Sequence, residues 1–390
     1  MSDPLFVLAV LAACVVVAEF LARRPGIRHL GTALVVIVVT AVVANLGVIP
    51  TSGGGHSIYA FLFREGAWMA IFWLLLQVDL RRVWRAGTAA VGLFALGAAG
   101  TAAGALVATW LLGGAGAPAF DHALAGMFTA TYIGGSANFM ALASHYQVNE
   151  GVLLASANAV DAGMTTLWMA VTVAVPRLLG RGHRQSASGR AAAAAEADAA
   201  AAIAESAIAH DTETVHPIDL GVLVAGAAAA VWLSLGLEAR SSDLVGFKVP
   251  GILILTTLAL LLAQVPAVGR LRGSRLLGLF GVYLFLATIG ALCDARTLFA
   301  SGELGLALLA FVAVLFAVHA LLLFGVALVF RLDMGVAALA SQANIGGSSS
   351  ALALARSLGR SDLVLPGILI GALGTALGTY VGLWVASVLG

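Results

Sequence analysis

The chain is poor in charge. Asp, Glu, Lys and Arg make up 10% of its 390 residues, against ~25% in an average soluble protein, while 61% are hydrophobic. That balance excludes a soluble globular domain. Lysine is nearly missing: of the twenty basic residues all but Lys248 are Arg, clustered in short loops, and no nucleic-acid surface is suggested. The two cysteines, Cys14 and Cys293, sit in apolar segments without CxxC or Cys/His spacing, which gives no support to a disulfide framework or a structural metal site. The P-loop pattern GxxxxGK[ST], HExxH and GxSxG are also missing. The chain therefore reads as neither ATP-driven nor an enzyme, with no bound cofactor.

What is present is a succession of apolar runs, each long enough to cross a ~30 Å hydrocarbon core as a helix. In the first half they cover 5–21, 30–49, 61–78, 88–112, 121–147 and 152–176; in the second, 218–236, 249–265, 276–293, 303–330, 334–357 and 363–389. The first run has no basic region before it and Arg23, Arg24 and Arg28 after it, the reverse of a cleaved signal peptide. It is expected to remain as a transmembrane helix with its N-terminus outside. Between the halves, 177–217 is an alanine-rich, acidic, low-complexity stretch that reads as a solvated linker.

The halves repeat. LLLQVDLRRVWRAG (74–87) matches a segment ending CDARTLFASG (293–302), aligning Asp79 with Asp294 and Arg81 with Arg296. About fifty residues later in each half, TATYIGGSANFMALA (129–143) matches ASQANIGGSSSALALA (340–355). Two matches in the same order at similar spacing point to a duplication, giving repeats at 1–176 and 218–390.

Arginine placement then sets orientation. If all twelve runs cross, eleven basic residues fall inside and nine outside, almost no bias. If each Gly-Gly-Ser run instead enters and leaves on one side, the second half inverts and the count becomes sixteen inside against Arg64, Arg240, Lys248 and Arg296 outside. The expected fold is an all-α polytopic membrane protein of two inverted repeats. Each repeat has about five crossings plus one broken or re-entrant helix, and the linker is cytoplasmic.

Glycine pairs are where a membrane helix can unwind, and the freed backbone then needs partners within the protein. Gly134, Gly135, Gly346 and Gly347 are the expected breaks, and the half-helix ends beside them suit an anionic group and a cation. With Ser136, Asn344, Ser348, Ser349 and Ser350 they form the candidate substrate site. The plainer reading is that the glycines only allow close helix packing. Asp161 is the clearest intramembrane acid, with Asn158 and Thr165 about one turn either side on the same face, a set that suits sodium or a proton. Its plainer reading is an interhelical hydrogen bond. The matching helix, 366–386, offers Thr375 and Thr379 but no acid. Asp79 and Asp294 read as boundary groups near arginines, Glu19 as an ion pair with Arg23. His319 reads as either a proton relay or a hydrogen-bonded core residue.

The stretches TYIGGSANFMALA, ANAVDAG and SQANIGGSSSALALA resemble the bacterial and chloroplast membrane-protein family known as domain of unknown function 819. That family is similar to the cation:proton antiporter and anion:sodium symporter group. The resemblance implies a panel domain (helices before residue 80 and 218–265) and a moving core (88–176 and 303–389). It also implies a homodimer and a sodium site beside the breaks at Asn138, Asn158 and Asp161. The lack of a second membrane acid departs from a two-carboxylate antiporter. The leading expectation is sodium- or proton-coupled symport of a small organic anion across the bacterial inner membrane by elevator-type motion. A cation/proton antiporter and a non-transporting scaffold or sensor are the rivals.

Overall fold

The computed structural model describes residues 3–24, 31–51, 57–113, 122–179, 215–245, 249–293 and 302–390. Most of the expected linker, with Asp294, Arg296 and Lys248, lies outside the described residues. Among those described, every regular element is helical. Eight of the described helices are long and apolar enough to cross a membrane.

Apart from single-turn helices, the described helices form two series along the chain. The first series is α1 (Pro4–Ala22), α2 (Gly31–Asn45), α3 (57–75, passing through a π turn at Leu62–Gly66), α4 (Thr88–Leu112), α5 (His122–Gly134), α6 (Ser136–His145) and α7 (Gly151–Leu179). The second is α8 (Pro217–Val245), α9 (Gly251–Ala263), α10 (Ser274–Leu292), α11 (Gly302–Val329), α12 (Met334–Ile345), α13 (Gly347–Ser357) and α14 (Val364–Leu389). Local chemistry explains several boundaries. Asp3 caps α1 through the N–H groups of Leu5 and Phe6, with Pro4 at the first helical position, and Asp333 caps α12 through Gly335 and Val336. Arg23 pairs with Glu19 one turn away, and Asp79 pairs with Arg82 at 2.8 Å.

The broken elements are hairpins. α5 and α6 have 13 and 10 residues, α12 and α13 have 12 and 11. At 1.5 Å per residue these rods are ~15–20 Å long, too short to cross ~30 Å singly. Their ends also meet. The ring of His122, where α5 starts, lies edge-on to Tyr146, where α6 ends, at 5.3 Å between centroids. At the second pair, Arg360 beyond α13 holds Asp333 at the start of α12 (3.0 Å) and Asp362 (2.8 Å). Asp362 beside it pushes the Arg360 guanidinium still further above its ordinary range.

Two sets of helices follow from the packing. In one, α10 packs against both α2 and α3, with α1 on α2 and with α8 and α9 also on α3. Gly278 and Gly281 of α10 receive Leu74 and Ala70 of α3. In the other, α4 crosses α11 closely: a Cβ on Gly104 would lie 2.6 Å from the Leu315 carbonyl. Hairpin 1 (α5–α6) packs on α14, and hairpin 2 (α12–α13) on α14, α4 and α7. The sets touch through Trp68 Nε1 donating to Ser144 (3.1 Å), the hydroxyls of Thr257 and Tyr380 (2.7 Å), and Gly151 seated on the Leu292 carbonyl.

Candidate functional site

α14 is the surface on which both hairpins end. Its glycines, Gly367, Gly371, Gly374, Gly378 and Gly382, repeat every three or four residues and so lie along one stripe. A Cβ on Gly382 or Gly378 would come within 2.7 Å of the carbonyls of Gly126 and Ala130, so α5 lies backbone to backbone on that half of α14. Further back along the stripe, a Cβ on Gly374 would overlap the Ile133 carbonyl, one on Gly371 would meet Ser348, and one on Gly367 would meet Leu339. The base of hairpin 1 thus sits by the C-terminal end of α14, where Gly390 approaches His122, and the base of hairpin 2 sits by its N-terminal end. The hairpins approach from opposite ends. Their tips reach glycines three residues apart, ~4.5 Å along the helix axis.

Each tip turns on one glycine. Gly135 has φ 86° and Gly347 φ 74°, conformations that side chains disfavour, although a Cβ at either would meet nothing within 4 Å. The dihedral, not space, selects glycine here. The expected breaks at Gly134-Gly135 and Gly346-Gly347 are where the helices part.

Polar groups at the two tips are used differently. Asn138, buried on α6, accepts from the N–H (3.0 Å) and hydroxyl (2.5 Å) of Thr379 and donates to the Thr375 carbonyl (3.3 Å). A helix ordinarily pairs that N–H with that carbonyl, so the Asn138 amide sits across a rung of α14. Its counterpart Ser350 only donates to the Gly346 carbonyl of its own hairpin (2.6 Å), while Ser348 donates to the Ile368 carbonyl (3.2 Å). Ser136 and Ser349 are exposed.

Asp161 lies by the last turn of α5, at the tip of hairpin 1. The Tyr132 hydroxyl lies beside its carboxylate, without closing a hydrogen bond of ordinary geometry, and Asp161 Oδ1 is buried with no partner. The tyrosine ring is fixed by Phe316, edge-on at 4.8 Å, and Phe128, stacked at 5.8 Å. Asn158 donates to the Leu154 carbonyl of its own helix (3.0 Å), and Thr165 is half-buried one turn beyond Asp161. Asn138 is therefore committed to α14 while Asp161 looks toward Tyr132.

Behind hairpin 2 runs a hydrogen-bonded chain through four helices. Trp168 Nε1 donates to Ser341 Oγ, Ser341 contacts His319 Nε2, and His319 Nδ1 meets the Gly97 carbonyl, each at 2.9 Å. Nδ1 also meets the Thr101 hydroxyl at 2.9 Å; a carbonyl only accepts, so the Gly97 bond forms with the proton on Nδ1, and in that neutral tautomer Nε2 accepts from Ser341. His319 is thus buried and hydrogen-bonded through both ring nitrogens. Gln342 meets Thr172 (2.9 Å), and Asn344 Nδ2 donates to the carbonyls of Phe94 (3.1 Å) and Ala340 (3.0 Å). Both keep one buried atom without a partner, Gln342 Nε2 and Asn344 Oδ1.

Sequence reasoning missed Tyr132, whose partner is distant in sequence, and the glycine stripe of α14, whose spacing in GILIGALGTALGTYVG was a readable signal for close packing.

These features define a polytopic helical membrane protein with two opposed hairpins against one glycine-lined helix. A family model described as a protein of unknown function, DUF819, matches residues 6–390, and the chain belongs to that family. It is 27% identical over 348 residues to the uncharacterized membrane protein YjcL of Bacillus subtilis (strain 168), covering 88% of this chain and 85% of that protein.

Proposed function

We propose that the protein is a secondary transporter that carries a small organic anion together with sodium or a proton. The observation that carries this reading is the meeting of two hairpin tips from opposite ends of α14, next to a buried, unpaired Asp161 oxygen. Half-helix ends at a midpoint give a site reachable from either face, the architecture expected of alternating access. Polar atoms left unpaired inside a membrane protein are costly unless a ligand uses them.

On this reading 1–176 and 218–390 are inverted repeats. The set α4–α7 with α11–α14 is a core that moves against a panel of α1–α3 and α8–α10. The arginines agree: Arg331, Arg356 and Arg360 cluster at the base of hairpin 2 and Arg177 reaches the Ser357 carbonyl there, whereas the base of hairpin 1 at 145–150 has none. On this reading the N-terminus is outside, the linker lies in the cytoplasm of a bacterial inner membrane, and the protein works as a homodimer. Sodium or a proton binds at Asp161 with Tyr132. The anion lies at the uncapped start of α13 near Ser348–Ser350. The chain performs no covalent chemistry.

Melting the detergent-purified protein in sodium, lithium or potassium chloride tests the reading. A ligand that binds only the folded state stabilises it by about 2.7 kcal/mol at a hundredfold excess over Kd. A rise specific to one cation and lost in Asp161→Asn is expected; no response to any cation or to pH overturns it. A second reading, cation/proton exchange without an organic anion, draws on Asp161 alone and predicts that no carboxylate adds to the cation's effect.

A further inference from the structure

We infer that the protein holds a second monovalent metal cation, at Asn344 on hairpin 2, distinct from the one at Asp161; this rests on the cation-coupled reading above. The starting point is an equivalence. When IGGS at 133–136 is laid on IGGS at 345–348, Tyr132 falls on Asn344. Each stands in the last helical turn before the glycine break, each is 0% exposed, and each keeps a polar atom with no hydrogen-bond partner. One copy of that feature has an acid facing it. The other does not.

The orientation of the Asn344 amide is fixed by chemistry. Its nitrogen lies against two carbonyls, those of Phe94 and Ala340, and a carbonyl can only accept. Turning the amide over would set oxygen against two oxygens, so Oδ1 is the free atom and it is an acceptor. A buried acceptor without a donor costs free energy, and native structures rarely leave one without an occupant. Three things make that occupant a cation. Amide oxygens are hard ligands. Asn344 lies at the C-terminal end of α12, where the last carbonyls lack in-helix donors and the helix dipole is negative. Of the carbonyls in that turn, the tip takes up that of Gln342, through the Gly346 N–H at 2.8 Å.

The two sites differ in charge, and this assigns them different duties. A cation at Asp161 is neutralised by the carboxylate. A cation at Asn344 keeps its charge, because the ligand is neutral. On hairpin 2 itself the arginines are Arg356 and Arg360, at the far end of α13 by the hairpin base, and the His319 imidazole beside Asn344 is already engaged by Ser341 and the Gly97 carbonyl. A carboxylate at the start of α13 therefore takes its counter-charge from the second cation and binds after it. One monoanion moves with two monovalent cations.

The test is a count of bound ²²Na⁺ by equilibrium dialysis of purified protein. The wild type is expected to bind two ions per chain, Asp161→Asn one, Asn344→Leu one, and the double variant none. Asn344→Asp, which keeps the oxygen and adds a charge, is expected to bind two, the second at least tenfold more tightly. Retention of the Asp161-dependent ion in Asn344→Leu shows that this variant is folded. A wild type with one ion, abolished by Asp161→Asn and untouched in Asn344→Leu, overturns the second site and leaves the coupled reading standing. Two ions that both persist in Asn344→Leu overturn it as well. No bound sodium in any form overturns the second site and, with it, sodium coupling.

Discussion

The two hairpins share a motif and differ in how they are held. Residues 123–134 of hairpin 1 are all buried, its backbone lies directly on α14, and Asn138 locks its second arm to Thr375 and Thr379. Hairpin 2 is tied at its base by an ion-pair triad and keeps an exposed face on α13 at Ser349, Ala353, Arg356 and Ser357. Two hairpins with one motif thus make a fixed arm and an arm with an open face. The same sequence signature, Ile-Gly-Gly-Ser, supports both because it specifies the turn and not the neighbours.

The contrast can be broken most severely at α14. Gly374→Val would drive side-chain atoms into the Ile133 carbonyl, which as backbone cannot rotate away, and costs about 3 kcal/mol or more. Little folded protein is expected by fluorescence-detected size exclusion, whereas Gly325→Val, with nothing within 4 Å, should express normally.

Next is the lock itself. Asn138→Ala removes hydrogen bonds and strands a Thr379 N–H, for about 2–4 kcal/mol, while Ser350→Ala at the equivalent place costs about 1 kcal/mol. Melting temperatures of the two variants side by side measure the asymmetry, and equal losses would erase it.

The tips themselves should be alike. Gly135→Ala and Gly347→Ala meet no atom but force a side chain into a left-handed backbone, at about 1–2 kcal/mol each by the same melts.

The smallest effect is expected at the base of hairpin 2. Arg360→Gln breaks two ion pairs that are only partly buried, and about 1 kcal/mol should be lost, less in high salt.

How much of this was readable in the sequence depended on whether the signal was local. The breaks followed from adjacent glycines, the hairpins from arginine counting, and the Glu19–Arg23 pair from helical spacing. Partners across helices were not legible. α4, α11 and α14 are apolar all round, so no amphipathic phase marks which face meets which neighbour. Asn138 read as a possible ion ligand because an amide at membrane depth suits either role, and only the position of Thr379 decides that its side chain is engaged. Asp161 was found as a lone acid among apolar residues, yet the Tyr132 hydroxyl beside it is contributed from 29 positions earlier by the fold.

The central claim is that the tips are reached alternately from the two faces of the membrane. Cys14 and Cys293 are buried, so replacing both by Ser gives a background in which Ser349→Cys is the single exposed thiol. Its reaction with a membrane-impermeant maleimide, in vesicles of known orientation with and without sodium, is the direct measurement. The account predicts labelling from one face without sodium and a shift toward the other face with it. Labelling from the same face at the same rate in both conditions would contradict it.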